Sequence, residues 1–161
     1  MGNSCANGLM IAWRETEMWR ALKAWLNPPP PSATVGTITD LAGHIQRLID
    51  APEGSWLRVD LIDQEEAFLQ FTAAPDRIQI DHPLVTPQQI EREDALRKTL
   101  STLGLTPYDT RGSDGSRFLD CEAPRDSERC AIVVQRILES VFRVDFSTRL
   151  RFVGDGLPPA D

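Results

Sequence analysis

Two histidines and three cysteines bound the chemistry open to this chain of 161 residues. His82 lies in Asp81-His82-Pro83, at the expected end of a strand, and the adjoining acid would raise its pKa and suit it to general-base work. An enzyme built on His82 would need a nucleophile and an acid to converge on it. Cys121 and Cys130 fall on an expected strand and an expected helix face, where thiols are normally buried and inert. His44 sits at the edge of an apolar helical stripe and reads as structural. Asp60, Asp63, Glu65 and Glu66 lack the Asp-x-Asp-x-Asp-Gly order of a calcium loop and read as a solvated hairpin tip. Gly112-Ser113-Asp114-Gly115 is a turn, since no phosphate-cradling glycine pattern occurs in the chain. There is no Cys/His metal cluster, H-E-x-x-H or G-x-S-x-G. The chain therefore reads as a non-enzyme without cofactor or metal, a small enzyme using His82 being the least favoured alternative.

Charge narrows the partners. Lys plus Arg number 17 against 24 Asp plus Glu, a formal net charge of −7. With Lys23 and Lys98 as the only lysines, positive charge is too thinly spread to follow a phosphate backbone, which argues against nucleic acid. No run reaches the roughly 18 apolar residues of a membrane span. An odd number of cysteines without framework spacing points to a reducing compartment, so a cytoplasmic protein is expected. Met1-Gly2-Asn3-Ser4-Cys5 resembles an acylation signal, but Ala6 stands where Ser or Thr would be required.

The elements that must position these residues divide at the prolines. Ile11, Met18, Trp19, Leu22, Trp25 and Leu26 recur at helical spacing, and Trp13 adds a third indole. Pro28-Pro29-Pro30-Pro31 ends that helix and forms a stiff spacer. Residues 1–36 are thus a Trp-rich helix with a polyproline spacer, 37–153 the folded body and 154–161 a flexible tail. In the body, Thr37 and Asp40 form a capping box before the stripe Ile38, Leu41, Ile45, Leu48 and Ile49. Residues 56–62, 67–72 and 77–80 alternate as three strands of an antiparallel meander. Thr86, Pro87 and Gln89 open a helix with the stripe Ile90, Leu96, Leu100 and Leu103, closed by Gly104. Residues 107–110 and 117–121 flank a loose hairpin turn. A last helix starts near Asp126 and carries Cys130, Val134, Ile137 and Val141 inward, and 150–153 would add an edge strand.

The resulting order α-β-β-β-α-β-β-α predicts an α+β fold with an antiparallel sheet. With Ala67-Phe68-Leu69-Gln70-Phe71, Leu100-Ser101-Thr102-Leu103-Gly104-Leu105 and Val133-Val134-Gln135-Arg136-Ile137-Leu138-Glu139-Ser140-Val141-Phe142, it resembles the type III secretion chaperone and YbjN-like superfamily, including bacterial TY-Chap domains, over residues 37–153. The resemblance implies a small, acidic, cytoplasmic, often homodimeric protein that performs no chemistry and binds a segment of another protein, whether client, effector or toxin. An immunity-type protein that blocks one folded target through an acidic surface is the alternative. Candidate partner-binding residues are Arg129, Arg136 and Arg143, spaced every seven along the last helix, together with Trp19, Trp25 and Phe71.

Overall fold

Alternating apolar residues in one stretch and helical stripes in another fold here into two layers. The computed structural model describes residues 32–64 and 66–159; the Trp-rich segment, including Trp19 and Trp25, the tetraproline and Glu65 lie outside these described residues. In chain order the elements are β1 (Ser32–Gly36), a 3-10 turn (Ile38–Asp40) leading into α1 (Leu41–Asp50), β2 (Trp56–Leu61), β3 (Phe68–Ala73), β4 (Arg77–Pro83), α2 (Pro87–Glu91), α3 (Glu93–Thr102), β5 (Tyr108–Arg111), β6 (Arg117–Pro124), α4 (Ser127–Val141) and β7 (Leu150–Asp155). The fold is α+β, with one seven-stranded sheet in the order β1-β7-β2-β3-β4-β6-β5, every neighbouring pair antiparallel.

Period-two alternation sends Leu57, Val59 and Leu61 of β2, Leu69 and Phe71 of β3, Ile78 and Ile80 of β4, and Leu119, Cys121 and Ala123 of β6 to one face. There they form a single core with Leu41, Ile45 and Leu48 of α1, Leu96 and Leu100 of α3, and Val134, Ile137 and Leu138 of α4. α4 packs against both α1 and α3, so the helices lie on one side of the sheet. Complete burial of side chains such as Leu48, Leu69 and Leu138 stabilises the fold by about 1.5–3 kcal/mol each relative to exposure. The helix boundaries follow their caps. Thr37 N–H donates to the Asp40 carboxylate at 2.8 Å, Gln89 Oε1 accepts from Thr86 N at 3.2 Å, and Asp126 Oδ1 accepts from Arg129 N at 2.8 Å. Gly104 closes α3 with φ +75°, the left-handed conformation a helix end favours.

Four expectations are corrected. Residues 32–36 belong to the sheet as β1, whose register runs from Ser32 against Gly154 to Gly36 against Leu150. Residues 150–153 are no edge strand: β7 lies between β1 and β2, its Leu150 and Phe152 buried. The expected tail is held, because β7 continues through Asp155 and Arg47 Nε donates to the Pro158 carbonyl at 2.7 Å. Finally, the helix expected from Pro87 to Leu103 breaks at Arg92. Gln89, seven residues before Leu96, falls on the same helical face as Leu96 and Leu100 and is buried, whereas Ile90 is turned about a third of a revolution from that face and is 47% exposed.

Candidate functional site

Residues that alternate with the core strand positions point to the side of the sheet opposite the helices. β2 presents Trp56, Arg58 and Asp60, β3 Phe68, Gln70 and Thr72, β4 Gln79 and Asp81, β6 Phe118, Asp120 and Glu122, β5 Tyr108 and Thr110. Among the described residues no helix covers this face. Most of its side chains are half-buried by their neighbours. Arg58 lies over the Phe68 ring, 5.1 Å from its centroid, and 2.7 Å from Asp60 Oδ1. Glu122 is taken up by Arg77 at 3.1 Å. The face is thus a mosaic of aromatic surface and hydrogen-bonding side chains, with two of its acids neutralised by arginine.

Asp81 and Asp120 differ from those two. They are direct partners across the β4–β6 ladder, and Asp120 is only 1% exposed. Thr110 donates its hydroxyl to Asp120 Oδ2 at 2.7 Å, while Gln79 Nε2 lies 2.9 Å from Asp81 Oδ1 and 3.1 Å from Asp120 Oδ2. Asp120 Oδ1 is buried with no hydrogen-bond donor. Burial and then the neighbouring charge of Asp120 push the Asp81 carboxyl up to about 6, against the hydrogen bond from Gln79. Asp120 is raised too, by burial, with Thr110 and Gln79 opposing. Tyr108, the cross-strand neighbour of Asp120, has its hydroxyl pKa raised by burial and by these acids. Sequence reasoning missed this pair. Its available signal was parity: Asp81 and Asp120 each interrupt the outward positions of a strand whose inward positions are apolar or, at His82, buried.

The residues singled out from sequence are scattered. His82 is 1% exposed on the helix side, its Nδ1 3.3 Å from the Phe68 carbonyl and its Nε2 3.4 Å from that of Gln89. Its pKa is lowered, chiefly by burial, contrary to the expected rise; consecutive strand residues face opposite sides, so Asp81 cannot pair with it. Phe71 is fully buried on the core face and cannot touch a partner. Arg129 and Arg136 project outward from α4, but Arg143 lies beyond its C-cap, Phe142, with φ +60°, so the seven-residue stripe stops at two. Arg136 pairs with Glu139 at 3.2 Å. Cys121 and Cys130 are buried free thiols, each pushed up to about 12 mainly by burial. His44 stacks on Phe152 with ring centroids 3.9 Å apart. Asp63 is exposed at the β2–β3 turn, as is Glu66, whose φ is +58°.

Two further features frame the body. Glu93 at the start of α3 and Asp109 on β5 bind Arg97 and Arg117 in a four-member ion network with contacts of 2.8 to 2.9 Å, pinning the β5–β6 hairpin to the helix. On the helix side, a cleft between α1 and α4 is lined by Ile38, Ala42, Ala131 and Gln135, with Ile132 58% and Phe146 66% exposed at its rim. Among the described residues no group of three or more His, Cys, Asp or Glu side chains is arranged to hold a metal, and no helix is long and apolar enough to cross a membrane. Comparison with protein-family models, curated proteins and solved structures finds no match to this chain.

Proposed function

We propose that this chain is a non-enzymatic protein-binding module that holds a segment of a partner against the helix-free face of its sheet, in the manner of a chaperone. The observation that carries this reading is that Trp56, Phe68, Tyr108 and Phe118 share that face with Gln70, Thr72 and Gln79, and no described helix covers it. Aromatic side chains are enriched at interfaces because they bury much area at little rotamer cost, and amide and hydroxyl side chains supply hydrogen bonds that an extended segment can meet. The immunity-type alternative draws on the acids of the same face. It is the weaker reading, because Asp60 and Glu122 already sit beside Arg58 and Arg77, leaving Asp81 and the buried Asp120 as a small residual charge. Enzymatic use of His82 has no support from its surroundings: burial lowers its pKa and its ring nitrogens face backbone carbonyls.

The test is comparative copurification from native cells. The tagged full-length chain should bring down a partner in near-stoichiometric amount, Thr72→Arg on the open face beside Trp56 should lose it, and Ile132→Asp on the outer face of α4 should keep it, with circular dichroism showing all three folded. Loss in Ile132→Asp alone, or wild-type protein that comes down by itself, would overturn the reading.

A further inference from the structure

Asp81 and Asp120 stand directly opposite each other on β4 and β6, a relation that puts Cβ atoms about 4.5–5.5 Å apart. Their carboxyl oxygens reach the same amide nitrogen, Gln79 Nε2, at 2.9 Å and 3.1 Å, which holds the two carboxyl groups side by side. A hydrogen bond between two carboxyl groups requires a proton, since two ionised carboxylates offer only acceptors. Asp120 Oδ1 is a buried acceptor for which, among the described residues, no donor is placed, and a buried oxygen left unpaired is destabilising.

Among the described residues no cation is placed to hold both acids ionised. On β4, Arg77 is engaged by Glu122 and Asp76; on β2, Arg58 is engaged by Asp60; on β6, Arg117 is engaged by Glu93 and Asp109. Gln70, opposite Asp81 on β3, is neutral. From β5, Tyr108 and Thr110 bring hydroxyls while Asp109 adds negative charge, and Glu122 on β6 is paired with Arg77. Cys121 lies on the other side of the sheet.

We propose that Asp81 and Asp120 form a proton-binding site, in which Asp81 carries the proton and donates it to Asp120 Oδ1. Like-charged carboxylates in one desolvated site resist double ionisation, so the pair titrates as a unit and loses its last proton well above the ordinary carboxylate range. With the folded Asp81 value near 6 and the unfolded value near 3.9, the native chain binds more protons than the unfolded chain between these limits. The pair's contribution to stability is therefore complete below about pH 4 and is lost as pH rises through about 6. Over the same interval the open face gains one negative charge.

Carboxyl carbon NMR of the full chain from pH 3 to 8 tests this directly. One aspartate should titrate with a midpoint near 6, with a coupled response at the second, and Asp120→Asn should lower that midpoint by about half a unit or more. A wild-type chain whose Asp81 titrates near 3.9, or an Asp120→Asn chain whose Asp81 does not move, would overturn the proposal. A second variant covers the case in which Asp120→Asn does not fold. Asp81→Asn presents an amide donor to Asp120 at every pH, so it should be at least as stable as wild type at pH 7 and lack the wild-type decline in urea midpoint from pH 5 to pH 7. An unchanged decline, or a marked loss of stability at pH 7, counts against the shared proton.

Discussion

His82 and Asp81 are chain neighbours with opposite surroundings, and the difference comes from strand parity. His82 points into the core, where burial lowers its pKa; Asp81 points to the open face, where burial and Asp120 raise its own. From sequence the two look like an ion pair because adjacency in the chain is visible and facing direction is not. The pairing of Asp81 with Asp120 depends on the β4–β6 register, which joins residues almost forty positions apart. Residues whose role follows from local pattern were legible: Cys121 and Cys130 were read as buried thiols and are buried. Their thiols, pushed up to about 12, are almost wholly protonated at neutral pH, and only the thiolate is reactive. Iodoacetamide at pH 8 should leave both unmodified in the native chain and alkylate both in guanidinium, as read by peptide mass spectrometry; rapid native labelling at either position would contradict their burial.

At the scale of elements, helices announced by capping residues were legible to within a residue or two. Asp126 was expected near the start of the last helix and is its cap, accepting from Arg129 N at 2.8 Å. Asp126→Ala should cost about 0.5–2 kcal/mol in urea unfolding, and Asp126→Asn should recover most of it; equal losses in both would mean that the cap bond is not what matters. Leu138, fully buried on the same helix, should cost about 2–5 kcal/mol when replaced by alanine, and a loss under 1 kcal/mol would contradict the packing described. β1 was not legible. Ser32-Ala33-Thr34-Val35-Gly36 follows a proline run and alternates only the small Ala33 with Val35, both left exposed, and it becomes a strand through pairing with β7, more than a hundred residues away. The same pairing turns β7 from an expected edge into an interior strand. The break at Arg92 has no Gly or Pro to announce it, and the Arg92 guanidinium lies over Phe142, 5.2 Å from the ring centroid, a tertiary contact that no local pattern encodes.

For the whole molecule, the charge excess resolves into a pattern. Residues 52–161 hold all of the net negative charge, with 13 bases against 20 acids; the ion network of Glu93, Arg97, Asp109 and Arg117 and the pairs Arg58–Asp60 and Arg77–Glu122 match four acids with four arginines, so the excess falls on the other carboxylates. With the described helices on one side, the body presents an aromatic and hydrogen-bonding sheet face on the other, and the proposed role of the molecule rests on that asymmetry. Hydroxyl-radical footprinting of the full chain, alone and with the partner that copurifies with it, addresses the asymmetry most directly because it reads solvent access at individual aromatic side chains. Trp56, Phe68, Tyr108 and Phe118 should become protected in the complex while Ile132 and Phe146 on the helix side stay as reactive as in the free chain; protection of Ile132 and Phe146 with the four aromatics unchanged would contradict the account.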